Sequence, residues 1–198
     1  MVVPSSERPE IRYYPLLQPQ RFEPVDVGPH WRLLDGDTDP WVTWVIAYVN
    51  TTHVAYAPET ILNMTAVDVE RDGIEALRKL PGKWDRIPDT EIRDPGMSPT
   101  LSWESEDPYG SERILDDAAL LAASELLDTG RLYVMIPARR ICYVRPMTLP
   151  LDADHRVEAS MMMKWMFPIH TGAETPLSMH VWMWDDERGL CGALRSNV

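Results

Sequence analysis

This sequence has little of several features that define common protein classes. Its 198 residues hold only 2 cysteines and 2 phenylalanines, and 19 Lys and Arg stand against 31 Asp and Glu. A chain of this length buries about two-thirds of its unfolded surface, so it needs neither disulfides nor a structural metal in order to fold. Cys142 and Cys191 fall in separate predicted strands. We expect both to be free thiols.

The deficit of basic residues gives a net charge of −12 and a pI near 4.8. An electrostatic field of this sign repels phosphate backbones and anionic lipids, so we expect binding neither to nucleic acid nor to membranes. A basic partner protein would be attracted. The alternative is that the acidic excess only keeps the chain soluble.

Long apolar runs are also absent from the sequence, and we expect no secretory signal. The longest mixed candidate, residues 41–49, suits a strand and not a membrane span. The first ten residues, MVVPSSERPE, lack the charged and apolar regions of a secretory signal. We therefore predict a cytoplasmic, reducing location.

Catalytic motifs are missing as well. The sequence has no nucleophile elbow, phosphate loop, dinucleotide fingerprint or zinc-type ligand pair, each of which needs glycines or ligands at fixed spacing. Cys142 lies between Ile141 and Tyr143, where cysteine usually acts as a small hydrophobic residue. We expect no cofactor and no metal site. The histidines are scattered without metal-site spacing: His30, His53, His155, His170 and His180.

Proline, in contrast, is abundant, with 18 residues in the chain. Six prolines between Pro4 and Pro29 recur at intervals of about five, which favours an extended arm over residues 1–29. Tyr13 and Tyr14 give this arm apolar groups to bury. Two placements are open, over its own domain or over another chain.

The stretch from Ser111 to Arg145 organises the predicted domain. Ser111 is a candidate N-cap for one amphipathic helix that ends at Gly130, and two strands over 132–136 and 141–144 follow. The predicted apolar stripe consists of Ile114, Leu115, Ala118, Leu121, Ala122 and Leu126. The predicted solvent face carries Glu112, Asp116, Asp117 and Glu125.

Other patterns complete the predicted fold. Helices are expected over 65–80 and 152–167, the second ended by Pro168, and residues 83–99 read as a loop. Strands are expected over 41–49, 53–56, 101–103, 179–184 and 190–194. Residues 30–198 are thus predicted to form a single α+β domain, a mostly antiparallel sheet of five or six strands with about three helices packed on it.

Exposed aromatic and arginine side chains are the best candidates for partner contacts. Trp182 and Trp184 fall on one face of the closing hairpin, and Arg139 and Arg140 lie at a predicted turn. Together with Tyr13 and Tyr14 they form the predicted partner-binding set. The resulting hypothesis is an acidic protein–protein interaction module, immunity-like or an assembly component, without catalytic activity.

An enzyme is the alternative hypothesis. His170 and His180 bracket a proline-containing loop, and Asp185 follows in the turn of the last hairpin. If these side chains converged in one cleft, they could support hydrolase-type chemistry.

The helix with Ser124-Glu125-Leu126-Leu127 leads into Val134-Met135-Ile136-Pro137-Ala138-Arg139. This order resembles the YtpQ-like bacterial family of unknown function, in which a helix precedes a strand that ends in a Pro-x-Arg-Asp pattern. Arg140 stands where that pattern has an acid. The resemblance covers the central and C-terminal two-thirds of the chain. It implies a cytoplasmic bacterial α+β domain and no particular reaction.

Overall fold

A computed structural model gives the structure of this chain and describes most of its residues. The described ranges are 11–19, 21–22, 30–34, 39–48, 54–56, 66–92, 95–97, 99–105 and 107–195. Within them lie three α-helices and two antiparallel sheets, which confirms the predicted α+β class. The division of the chain at residue 29 stays a prediction.

The smaller sheet has four strands, numbered in chain order. They are β1 (Ile11–Gln18), β2 (His30–Arg32), β3 (Trp41–Tyr48) and β4 (Val54–Tyr56). β1 pairs with β3 over its whole length, from Ile11 opposite Tyr48 to Gln18 opposite Trp41. Among the described strands β1 pairs only with β3, and such an edge position tolerates Pro15. Part of the predicted arm therefore belongs to a sheet of its own chain.

The larger sheet has six strands in the spatial order β10-β9-β7-β8-β6-β5. In chain order they are β5 (Lys83–Arg86), β6 (Leu101–Glu104), β7 (Arg131–Met135), β8 (Tyr143–Pro146), β9 (Val181–Asp185) and β10 (Gly189–Leu194). β7 is central and covered on both faces, so its residues 132–135 are fully buried. The two predicted hairpins, β7–β8 and β9–β10, are confirmed.

The three helices are α1 (Ala66–Arg78), α2 (Asp117–Leu126) and α3 (Arg156–Gly172). The prediction that Pro168 ends α3 is wrong, since the helix continues for four more residues. Met162 and Met166 bury this helix against the sheet, and the Thr171 hydroxyl donates to the Phe167 carbonyl at 2.9 Å. Tertiary packing thus outweighs the loss of one backbone hydrogen bond at proline.

The predicted helix from Ser111 is also wrong in its start. Ser111–Leu115 is a 3-10 turn, and the α-helix begins after Asp116, whose carboxylate accepts from the Ala118 N–H at 3.2 Å. A 3-10 turn and an α-helix have different numbers of residues per turn, so the residues of the predicted apolar stripe do not lie on one face. Leu126 is 65% exposed, while Glu112 is fully buried.

Two further expectations about the sheet are corrected. The strands predicted over 41–49 and 53–56 are found as β3 and β4, and both belong to the smaller sheet, because β3 pairs with β1, β2 and β4. Residues 83–86, predicted as loop, form β5, which pairs with β6 from Lys83 opposite Glu104 to Arg86 opposite Leu101. The charged sequence KWDR has no alternating apolar pattern that would predict a strand. Hydrogen bonding to β6 stabilises the extended conformation that the intrinsic strand propensity of these residues does not favour.

Two cores lie on the two faces of the larger sheet. One combines Leu17 and Val42 of the smaller sheet with Val134 and Trp182, so the smaller sheet shares a core with the larger one. The other joins Tyr133 and Met135 to α3. Among the helices that the structure describes, none is both long and apolar enough to cross a membrane.

Gly110 gives the first test, because it meets the backbone of Arg140 at close range. A Cβ at Gly110 would lie 2.2 Å from the Arg140 carbonyl oxygen, which is backbone and cannot swing away. We predict that Gly110→Ala lowers the free energy of unfolding by about 2 kcal/mol or more, measured by urea titration. The control is Gly172→Ala, where nothing lies within 4 Å and no loss is expected. Equal stability of the two variants would contradict this packing.

Candidate functional site

The tryptophans of the predicted partner-binding set lie inside the protein. Trp182 is fully buried and Trp184 is 2% exposed, and both belong to the core shared by the two sheets. The Trp184 Nε1–H donates to the Asp117 carboxylate at 2.8 Å. The two tryptophans share a strand face, as predicted, but the protein core covers that face. The correction is that neither indole is available to a partner.

The aromatic residues of β1 are used in a similar way. Tyr14 is buried and stacks on Tyr109, with ring centroids 4.7 Å apart and planes inclined by 18°. Burial, with a smaller contribution from Glu112, raises the pKa of Tyr109 to about 12. The backbone of Tyr13 lies opposite Ile46 of β3. Tyr14 therefore packs β1 against the segment that carries Tyr109, and its ring is not exposed to a partner.

The two arginines have different environments. The Arg139 guanidinium is half-buried and donates to the Leu17 carbonyl at 3.0 Å and to the Gln18 side-chain oxygen at 3.3 Å. Arg140 is exposed, with a φ of 71°. Arg139 thus holds β1, and Arg140 alone of the predicted set lies on an open surface with a described side chain.

The residues of the enzyme alternative do not form one cluster. His170 donates from Nδ1 to the Pro137 carbonyl at 2.8 Å, and His180 is buried beside Trp182. Asp185 lies about 16 Å along the strand from His180, by the rise of an extended chain, and its carboxylate accepts from the Glu187 N–H. In the described part of the chain no three His, Cys, Asp or Glu residues form a metal-binding group.

A different histidine lies in a buried polar cluster. The Tyr133 hydroxyl donates to the Glu158 carboxylate and lies 2.6 Å from His155 Nδ1, from which it can accept. Burial, followed by the hydrogen bond to Glu158, raises the pKa of Tyr133. These contacts join the start of α3 to the centre of β7. Their evident effect is to position that helix.

One open site is a groove with aromatic walls, which we call the aromatic groove. Its volume is about 540 Å³. Trp103 of β6, Tyr143 of β8 and Trp165 of α3 supply the rings. Glu91, Glu104 and Arg140 supply the charged groups. β6 pairs directly with β8, so neighbouring strands bring two of the rings together.

The rings of the aromatic groove are held by contacts on several sides. Tyr143 and Trp165 meet edge to face, with centroids 4.8 Å apart. Trp103 is packed edge to face against Trp84, and the Arg113 guanidinium lies 4.2 Å from the Trp103 ring centroid. Burial raises the pKa of Tyr143, with a smaller effect from Cys142. The walls are therefore preorganised before any ligand arrives.

The charges of the aromatic groove favour a cation. Glu91 and Glu104 are exposed carboxylates, opposed by the single guanidinium of Arg140. Lys83 lies opposite Glu104 in the sheet, but its ammonium donates to Asp85 at 2.8 Å. Aromatic faces beside carboxylates are an arrangement that attracts guanidinium or ammonium groups.

A buried charged turn behind this groove was missed from the sequence. Glu112 accepts from the Leu17 N–H at 2.9 Å and from the Ser111 hydroxyl at 2.7 Å. Arg113 is 1% exposed and lies 3.9 Å from the carboxylates of Asp107 and Asp116. Burial raises the pKa of Glu112 and lowers the pKa of Arg113.

One sequence signal could have exposed this turn. Asp116 stands directly before the helix-forming run DAALLAASEL and is as good an N-cap as Ser111. Placing the cap at Asp116 moves residues 111–115 out of the helix, which removes the reason to assign Glu112 to solvent. The same carboxylate accepts from Arg78 Nε at 2.7 Å, a long-range contact that no local pattern contains.

Neither cysteine is an activated nucleophile. Cys142 is fully buried, and burial followed by the nearby Glu112 raises the pKa of its thiol. Cys191 is exposed, and desolvation followed by Asp185 raises its thiol pKa as well. A nucleophilic cysteine needs the opposite shift.

No protein-family model, curated protein or solved structure matches this chain. The resemblance to the YtpQ-like family, and the bacterial origin that it implies, stay predictions. The hydrolase alternative stays a prediction too, without a supporting cluster among the residues placed by the structure. Functional inference for this chain therefore depends on the geometry of its described residues.

The raised pKa of Glu112 predicts a pH effect on stability. A carboxyl whose pKa is higher in the folded state binds more protons there, so its contribution favours folding at acid pH and is lost as the pH rises through the raised pKa. We predict that Glu112→Gln removes this loss. Relative to wild type, the variant should gain free energy of unfolding as the pH rises from the ordinary glutamate range to neutral.

The measurement is urea unfolding of both proteins at a series of pH values. Glu125→Gln, on the exposed side of α2, is the matched control for removing one negative charge. Parallel pH profiles for wild type and Glu112→Gln would show that the Glu112 carboxylate is not desolvated in the folded protein.

Thiol burial gives a separate test. We predict that a thiol reagent such as 5,5′-dithiobis(2-nitrobenzoate) modifies Cys191 in the folded protein and reaches Cys142 only on unfolding, because Cys142 is fully buried. One thiol should react under native conditions and two in denaturant. Prompt reaction of two thiols in the native protein would contradict the placement of Cys142.

Proposed function

We propose that this chain is an acidic protein-interaction module, immunity-like or an assembly component, without catalytic activity, and that it binds a basic segment of a partner in the aromatic groove. The observation that carries this proposal is the convergence of Trp103, Tyr143 and Trp165 beside two exposed carboxylates. It supports recognition of a cation rather than turnover of a substrate.

The aromatic rings supply the first part of the argument. A cation within about 6 Å of a tryptophan face gains roughly 0.5–2 kcal/mol, more where water is excluded. Trp103 already makes such a contact, since Arg113 lies 4.2 Å from its ring centroid inside the protein. The groove offers two further aromatic rings to a cation from outside.

The charges supply the second part. Glu91 and Glu104 stand at the groove, and the net charge of −12 attracts basic partners from a distance. Arg140 is the member of the predicted partner-binding set that lines this groove. In the proposed complex it receives a carboxylate of the partner, which fixes the orientation of the bound segment.

The size of the groove supplies the third part. A volume of about 540 Å³ lies in the range of small-ligand sites, roughly 300–1,000 Å³. It accommodates one or two side chains of a partner and not a folded domain. We infer an anchoring role, in which an arginine or lysine of the partner inserts between the rings.

The compartment that we propose is the cytoplasm. Both cysteines are free thiols in this structure, which is compatible with a reducing environment.

The test uses a short basic peptide as the probe. We predict that acetyl-(Arg-Gly)4-amide binds more tightly than acetyl-(Glu-Gly)4-amide, and that Glu91→Lys with Glu104→Lys weakens binding of the arginine peptide about tenfold or more. Isothermal titration at near-physiological salt measures the affinities, since low salt would exaggerate surface attraction.

A matched variant separates the groove from the overall charge. Glu125→Lys with Glu174→Lys makes the same change in net charge at exposed positions outside the groove. If both double variants lose affinity equally, attraction is only to the net negative charge and the proposed site is wrong. If the arginine peptide does not bind wild type at all, the proposal fails directly.

A further inference from the structure

The two edges of the larger sheet differ in their protection. The edge strand β5 has only four residues, and it carries Lys83, Asp85 and Arg86. The edge strand β10 has six residues, GLCGAL, none of which is charged. Natural proteins commonly protect open edges with charged side chains, short strands or proline. Among the described strands only β9 pairs with β10, and β10 lacks these three devices, although a bulge between Leu190 and Gly192 interrupts its ladder with β9.

A second groove lies beside this unprotected edge, between β10 and α3, and we call it the edge groove. Its volume is about 580 Å³. The apolar lining residues are Ala159, Met163, Phe167, Met179, Ala193 and Leu194. Phe167 is 55% exposed and presents the largest apolar side chain of this groove. The β10 residues at this groove lie beyond the bulge.

The charges of the edge groove are opposite to those of the protein as a whole. Arg156, Lys164 and Arg195 line it, and no carboxylate of the described residues does, although acids outnumber bases 31 to 19 in the chain. Arg156 pairs with Asp154 at 3.0 Å and Arg195 with Asp39 at 3.1 Å. Lys164 is exposed, and no carboxylate of the described residues forms an ion pair with it.

We propose that the edge groove binds an extended acidic segment of a second partner, which adds to β10 as a further strand. The backbone of the segment pairs with the open edge near Gly192, and alternate apolar side chains enter the groove. Its carboxylates face Lys164 and the neighbouring guanidiniums. This site is separate from the aromatic groove, and it takes a partner of the opposite charge.

Two features favour this occupant. An open strand edge offers backbone donors and acceptors, which an extended peptide satisfies and a helix does not. A second copy of this chain is disfavoured, because two-fold pairing through β10 would bring two sets of the same cations together and join two chains of net charge −12.

The experiment compares two labelled peptides that differ only in the sign of their charge. We predict that fluorescein-(Val-Glu)4 binds at least tenfold more tightly than fluorescein-(Val-Lys)4, measured by fluorescence anisotropy with the full chain. The net charge of the protein favours the reverse order. Lys164→Glu should weaken binding of the acidic peptide about tenfold. Lys79→Glu, an equal charge change at an exposed position outside the groove, should change it less than twofold.

The strand geometry is tested by replacing the two central valines of the acidic peptide with proline, which should remove most of the binding. Equal binding of the proline peptide, tighter binding of the lysine peptide, or equal effects of the two lysine variants would each overturn the proposal. A dimer in sedimentation that Lys164→Glu disrupts would assign the edge to a second copy and overturn it as well. Changes at Glu91 and Glu104 should not weaken this binding, so its outcome is independent of the aromatic groove.

Discussion

The contact between the buried Glu112 carboxylate and the Leu17 N–H, at 2.9 Å, connects residues 95 positions apart. It anchors β1 to the 3-10 turn that contains Glu112, and β1 pairs with β3 at eight positions. Burying a carboxylate is costly unless hydrogen bonds compensate, and here Ser111 and Leu17 both donate. Truncating this side chain would leave the Leu17 N–H unpaired, so the attachment of the smaller sheet depends on a polar acceptor in the interior.

The same turn also shapes the aromatic groove. Arg113, next to Glu112, lies over Trp103 and approaches two carboxylates that partly offset its burial. Its guanidinium covers one part of the indole from inside the protein, which leaves the remaining part to face the groove. A residue that stabilises the interior therefore positions a wall of the proposed binding site. Breaking a buried pair of this kind costs more than forming it contributes, because a lone charge is left behind.

The sequence was sufficient for the parts of this fold that depend on local pattern. Both hairpins and the α+β class follow from alternation and turn residues, and Trp182 and Trp184 were placed on one face by the same rule. Pattern alone does not say whether a face is covered, so it cannot distinguish the buried position of these tryptophans from a surface position. The N-cap at Asp116 takes Glu112 out of the helix, but the partners of Glu112 cannot be predicted, since they come from distant segments such as β1. Predicting the edge groove also requires the order of the strands in the larger sheet, which no residue pattern gives.

Helix α3 links the two proposed sites, because Lys164 lines the edge groove and the next residue, Trp165, lines the aromatic groove. Successive residues of a helix point about 100° apart, so one helix presents different walls to two partners. A basic segment and an acidic segment can then be held at once without contact between them. The apolar side of α3 is fixed to the sheet by Met162 and Met166, which limits how far either partner can shift the helix. If both proposals hold, α3 separates two partners of opposite charge on one rigid element.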